Sequence, residues 1–225
     1  MGTPIRLSQQ KAKSDSKLLR DLHYAAMEYN KYANHKILYI YRARQSGAIY
    51  KDYEVYFGKE NFIHLVGFKK GKIGANDFYD KCLLGTLKLH EVQFKENRKA
   101  ASAKLDAIQN LLDYRHCKIY KMNEADIITQ KNKFEVGLGN NAGIMGFDKR
   151  IAGASLPIPV TVMKRPITDY VSNPENVVAI FMKEKNGDFY DTVIGCVSSG
   201  ILKADLPKSI QAKISEKVPS KILKI

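Results

Sequence analysis

The chain has 225 residues, 44% of them hydrophobic, which suits one domain with a core that needs neither metal nor disulfide support. Its formal net charge of +14 favours a phosphate-bearing partner, while no apolar run reaches membrane-spanning length. Three cysteines, Cys82, Cys117 and Cys196, lie far apart and give neither a disulfide framework nor zinc-ligand spacing, so they read as free thiols of a reducing compartment.

Residues 1–15 are polar and charged, without the apolar stretch of a signal peptide, and read as a flexible basic N-terminus. Over residues 17–34 the apolar positions Leu18, Leu22, Ala25, Ala26 and Tyr29 recur at helical spacing. Residues 37–41 and 50–57 are strand-like, with turn material at Gln45-Ser46-Gly47 between them, and predict an antiparallel hairpin. Residues 59–68 carry both periods: Phe62, Leu65 and Val66 suit a helical turn ended by Gly67, while Phe62, His64 and Val66 would share one face of a strand. A basic loop (69–74) leads to a helix over 75–84 stopped by Gly85, an ambiguous stretch to residue 94, and a helix over 97–114. Strands are predicted at 117–122, 134–138, 143–147 (after the Gly139-Asn140-Asn141 turn), 157–163 and 177–183. Asn186-Gly187 then turns the chain into a return strand at 189–193. Ile210 and Ile214 give residues 207–217 the pattern of a basic amphipathic helix. Helices first and a meander of strands after them predict an α+β fold, with N-terminal helices packed on a mostly antiparallel twisted β-sheet.

No HxxxH, HExxH, P-loop, dinucleotide fingerprint or GxSxG elbow is present, which disfavours metal hydrolases, nucleotide-dependent enzymes and serine nucleophiles. A metal-independent ribonuclease has no such motif, because its groups are scattered along the chain. His64 sits between Ile63 and Leu65, with Lys69, Lys70 and Lys72 just after; it reads either as a base kept neutral by cations or as a core histidine. Thr161, followed by Lys164 and Arg165, reads as a phosphate-holding hydroxyl or as a sheet-edge threonine. Lys183, across a hairpin from Tyr190, reads as an electrostatic clamp or as a solvated turn lysine. Lys104 lies on a mostly apolar helix. Tyrosines interleave with cations at Tyr39, Tyr41, Arg42, Arg44, Tyr50 and Lys51, a pattern shared by RNA-stacking surfaces and ordinary strands.

From Tyr53 to Gly67 the chain reads YEVYFGKENFIHLVG, which resembles the phage-associated nucleases of the barnase, EndoU, colicin tRNase and RelE type. The Phe78-Tyr79 pair, the helix near Lys104, the strand from Gly143 to Phe147, the Pro159–Thr161 segment and the Lys183–Tyr190 hairpin follow in the family's order. Val66 stands where the pattern has threonine, and Val160 rather than asparagine precedes Thr161. The resemblance implies a nuclease domain over residues 16–200, with 201–225 a basic tail. It implies metal-independent RNA cleavage with no cofactor, a phage or mobile-element origin, and a toxin-like role in the bacterial cytoplasm. RNA (tRNA or mRNA) would be the substrate, an antitoxin or host protein a further partner, and no membrane is involved. Carried over, His64 is the catalytic acid/base, and Lys104, Thr161 and Lys183 bind or polarise the phosphate. Lys69, Lys70, Lys72, Lys164, Arg165 and Tyr190 form the nucleic-acid-binding set. A non-catalytic nucleic-acid-binding regulator, or an inhibitor module for an acidic protein partner, are the alternatives for the same basic surface.

Overall fold

The computed structural model describes residues 4–43, 49–114, 118–121, 134–149, 155–170, 173–197 and 199–223. Helix α1 (Pro4–Asn30) opens the fold. It begins well before the apolar repeat does, because Pro4 tolerates a first helical turn and residues 5–13 are mostly good helix formers. The segment is also tied down. Arg98 donates to Ser14 Oγ at 2.9 Å and pairs with the Asp15 carboxylate. Leu18, Leu22, Ala25, Ala26 and Tyr29 are buried along one face, as their spacing requires.

Strands β1 (His35–Arg42) and β2 (Tyr50–Phe57) form the expected hairpin, His35 opposite Phe57 and Arg42 opposite Tyr50. Alternation divides their side chains. Ile37, Tyr39, Val55 and Phe57 join the core under the helices, and Leu38 and Ile40 join a second core on the opposite sheet face.

The segment that carries both periods resolves as helix: a 3-10 turn at Lys59–Asn61 runs into the short α2 (Phe62–Leu65). Gly58 decides this locally. Its N–H donates to the buried Asn61 Oδ1 at 3.0 Å, and its carbonyl accepts from the Tyr29 hydroxyl at 2.8 Å. Helical winding then puts Phe62, Ile63, Leu65 and Val66 inside and leaves His64 exposed. Next come β3 (Phe68–Lys69), α3 (Ala75–Leu83), β4 (Gln93–Phe94) and α4 (Arg98–Leu112). Gly85, at φ +68°, ends the turn after α3, and Asn97 caps α4 by accepting from Ala100 N–H at 2.9 Å.

The remaining strands are β5 (Lys118–Lys121), β6 (Val136–Gly139), β7 (Ile144–Asp148), β8 (Ile158–Met163), β9 (Glu175–Glu184) and β10 (Thr192–Cys196). With β1 and β2 they form one antiparallel sheet in the order β2-β1-β9-β5-β6-β7-β8, and β10 pairs with the second half of β9. Tyr56 N–H on β2 donates to Pro157 O, just before β8, at 2.9 Å. The sheet therefore curls until its two ends meet. The fold is α+β, with N-terminal helices against a mostly antiparallel sheet.

The C-terminal segment differs from its reading as a basic helical tail. It holds β11 (Ile201–Leu202), the single-turn α5 (Lys208–Gln211) and β12 (Lys221–Ile222). Ile201, Leu206, Ile210, Ile214, Val218 and Ile222 pack on Leu38, Ile40, Phe181 and Tyr190, and so cover the sheet face that the helices leave bare. This also moves the return strand after Asn186-Gly187. Tyr190 exchanges backbone hydrogen bonds with Lys213 and Ser215, both at 2.9 Å, so β10 begins only at Thr192. Among the described residues no helix is long and apolar enough to cross a membrane.

Candidate active site

A cleft of about 700 Å³ opens where α4, the chain just before it, and the end of β8 come together. Lys95, Lys104, Thr161, Lys164, Arg165, Asp169 and Tyr170 line it. Lys104 Nζ donates to Thr161 Oγ1 at 3.3 Å, joining helix to sheet. Since the hydroxyl oxygen accepts this bond, the Thr161 O–H remains able to donate to a ligand. Both side chains are half-buried, whereas Lys164 and Arg165 are exposed.

His64 reaches this region through Gly67. The glycine closes α2 at φ +82°, its N–H bonded to His64 O at 3.3 Å. A Cβ on Gly67 would lie 3.0 Å from Lys104 Cδ and 3.2 Å from Ala101 Cα, so the α2 end presses directly on the turn of α4 that bears Lys104. Partial burial lowers the His64 pKa below its usual value, and the Lys95 and Lys70 charges lower it further. Both effects favour the neutral imidazole. Burial also lowers the Lys104 pKa, Lys95 adds to this, and Glu96 opposes it. Lys104 is therefore a stronger acid than an exposed lysine.

Of the residues singled out from sequence, His64, Lys104, Thr161, Lys164, Arg165 and Lys70 come to one region, and Lys69 and Lys72 are exposed on the strand and loop beside it. Lys183 and Tyr190 do not. β9 alternates so that Ile180 faces the helices while Phe181 faces the C-terminal segment, and Lys183 follows Phe181. Its Nζ sits 4.5 Å over the Tyr190 ring and donates to Asp188 O at 3.1 Å. Lys183 is thus on the opposite sheet face from Lys104 and Thr161. Tyr190 is 0% exposed, its hydroxyl donating to Glu54 Oε2 at 3.0 Å, so it has no ring face to offer a base. Two residues far apart in sequence join that network: Lys213 Nζ is 2.6 Å from Asp52 Oδ2 and 2.5 Å from Glu54 Oε1. Of the strand tyrosines, Tyr39 is buried in the core and Tyr50 is 8% exposed, beneath the Arg42 guanidinium.

Sequence reading passed over Lys95, Glu96, Asp169 and Tyr170. Lys95 and Glu96 follow a two-residue strand, too short for a periodic signal. Asp169 and Tyr170 lie on a 3-10 turn whose position depends on the Asn140 carbonyl, which accepts from Ile167 N–H at 3.1 Å. The other histidines lie elsewhere: His23 and His35 bond the Cys82 and Ala33 carbonyls at 3.0 and 2.9 Å, His90 is exposed, and His116 is outside the described residues, as is Cys117. Cys82 is buried and Cys196 half-buried, both as free thiols. Among the described residues no group of three or more His, Cys, Asp or Glu side chains is placed to hold a metal ion.

An acidic ammonium, a hydroxyl and three exposed cations along one cleft, with an imidazole on the neighbouring turn, suit acid–base chemistry on an anion. No curated protein and no solved structure matches the chain. The family model of the phage-Barnase-EndoU-ColicinE5/D-RelE like nuclease 4 matches residues 21–194, a span that holds α2, α4, β8 and every residue of the cleft named above. By that match, the chain belongs to this family of phage BECR-like nucleases.

Proposed function

We propose that the chain is an endoribonuclease that cleaves RNA without a metal ion, the ribose 2′-OH being the nucleophile. The observation that carries this reading is the Lys104–Thr161 hydrogen bond at 3.3 Å, on the wall of a cation-lined cleft beside an exposed His64. Neutral His64 takes the 2′-OH proton as O2′ bonds to phosphorus. Lys104 and the Thr161 hydroxyl hold the phosphoryl oxygens as negative charge builds on them. The P–O5′ bond breaks, and the leaving oxygen takes a proton from the Lys104 ammonium, whose lowered pKa suits it to donate. The products are a 2′,3′-cyclic phosphate and a free 5′-hydroxyl. Lys164 and Arg165, just after β8, and Lys69, Lys70 and Lys72, after α2, bind the flanking phosphates. Incubating the protein with single-stranded RNA in EDTA tests this reading. The expected result is fragments ending in 2′,3′-cyclic phosphate, lost in His64→Ala. RNA that is bound yet left intact over a range of pH and salt would instead favour a non-catalytic nucleic-acid-binding protein.

A further inference from the structure

Lys95 is the cation nearest to linking the two halves of this site. β4 sets its position. Phe68 pairs with Phe94 and Lys69 with Gln93, and the ladder ends with Lys95 N–H donating to Gly67 O at 2.9 Å. Lys95 is therefore fastened to the glycine that ends α2, three residues after His64, and that glycine is the one pressed against Lys104. The Lys95 side chain is exposed and lines the same cleft as Lys104 and Thr161. Among the described residues no carboxylate forms an ion pair with it, whereas Lys164 of the same cleft is paired with Asp106 at 2.9 Å. Among the described residues the charged groups of this region are mostly of its own sign: Lys70 beside His64, Lys104 on α4, and Lys164 and Arg165 after β8, with Glu96 and Asp169 against them. Gathering several cations around an imidazole without a paired carboxylate is unfavourable in the empty protein and is relieved by a bound anion.

We propose that Lys95 couples the two halves of this site: held by its backbone bond to Gly67 beside the turn that carries His64, its ammonium faces the same cleft as that of Lys104, and the two clamp an entering phosphodiester. This role rests on reading the cleft as a phosphodiester site, and it adds a coupling to that reading. Before substrate binds, the cations beside His64 favour its neutral, proton-accepting form. The arriving phosphate offsets the Lys95 charge and strengthens the imidazole as a proton acceptor during attack. The direction agrees with the lowering that Lys95 exerts on both His64 and Lys104.

The test is a titration of the His64 imidazole by NMR, its resonances assigned by their loss in His64→Gln, in wild type, Lys95→Gln and Lys95→Arg. Lys95→Gln should raise the His64 pKa by about half a unit, the size of effect one solvent-exposed charge exerts over a few ångströms. Lys95→Arg should restore the wild-type value, which a purely structural role would not require. Added inorganic phosphate should raise the His64 pKa in wild type and do so less in Lys95→Gln. On single-stranded RNA, the acid limb of kcat/KM against pH should move upward with the imidazole. A native-like Lys95→Gln whose His64 pKa is unchanged, with or without phosphate, overturns the proposal. If the imidazole responds as expected while no variant, wild type included, cleaves RNA, the endoribonuclease reading fails and the Lys95–His64 coupling stands.

Discussion

Gly67 and Lys104 occupy one another's space: the missing Cβ of the first is what leaves room for the stem of the second, at 3.0 Å from Lys104 Cδ. Positive φ at Gly67 lets α2 end there, and the same residue sets how closely α2 approaches α4. The distance between His64 and Lys104 is thereby tied to a backbone conformation that glycine alone adopts without strain.

Gly67→Ala should destabilise the fold by about 1–3 kcal/mol, from left-handed backbone strain together with contact against Ala101 Cα. RNA cleavage should fall further than the loss of folded protein explains, since the Lys104 stem must move to make room for the new Cβ and its 3.3 Å bond to Thr161 depends on that stem. Urea unfolding and single-turnover cleavage, measured on the same preparation under conditions where it is fully folded, separate the two effects.

The pH dependence of kcat/KM should be bell-shaped. His64 acts unprotonated, so the rate rises with pH through a pKa below 6.5. Lys104 acts protonated, so the rate falls at alkaline pH through a pKa below 10.5. Removing the imidazole in His64→Ala should abolish the acid limb and reduce the rate by roughly 100-fold or more. An acid limb that persists in this variant would assign the base elsewhere.

Lys213 clamps the C-terminal segment to β2, and the sign of its pH dependence follows from the two partners. Burial pushes the Glu54 pKa up, but the Lys213 hydrogen bond and charge, with the Tyr190 hydroxyl, bring it below its ordinary value. Burial pulls the Lys213 pKa down, and Asp52 and Glu54 more than offset this. A carboxylate with a lowered pKa stabilises the fold above about pH 4.5 and ceases to do so as pH falls through its folded value. An ammonium with a raised pKa stabilises it below about pH 10.5 and ceases to do so above. Lys213→Ala should cost about 1–2 kcal/mol between those limits and less outside them, read from urea unfolding at several pH values.

Removing charge should affect the two sheet faces differently. Lys164→Ala with Arg165→Ala should weaken RNA binding and flatten the dependence of log K on log salt by roughly 1–2 in slope. Lys183→Ala, on the opposite face, should leave both the slope and the cleavage rate as in wild type. Fluorescence anisotropy of a labelled single-stranded RNA across a salt series makes the comparison, and an equal loss from Lys183→Ala would mean that the opposite face also meets RNA.

The sequence by itself determined most local elements and singled out several residues of the cleft region, His64, Lys104, Thr161, Lys164 and Arg165. Helical spacing of Leu18, Leu22 and Tyr29, alternation in β1 and β2, and the glycine stop at Gly85 are short-range effects of burial and backbone sterics, so they read directly from order along the chain, whereas the stop at Gly67 is one of two readings until Gly58 and Asn61 set the winding. The KENFIHLVG segment pointed to His64 because an isolated histidine followed by lysines stands out in an apolar stretch. Tertiary structure alone decided which candidates meet. Thr161 and Lys104 are 57 residues apart and touch only because the curled sheet brings β8 under α4. Lys183 looks equivalent by composition, yet the alternation of β9 sends it to the other face, beside Tyr190 and Glu54. Lys95 left no mark in the sequence, since a two-residue strand has no period, and it gains its place from one backbone hydrogen bond to Gly67. The C-terminal segment read as a basic tail with an amphipathic helix because Ile210 and Ile214 reveal an apolar face but not what covers it; the bare face of the sheet does.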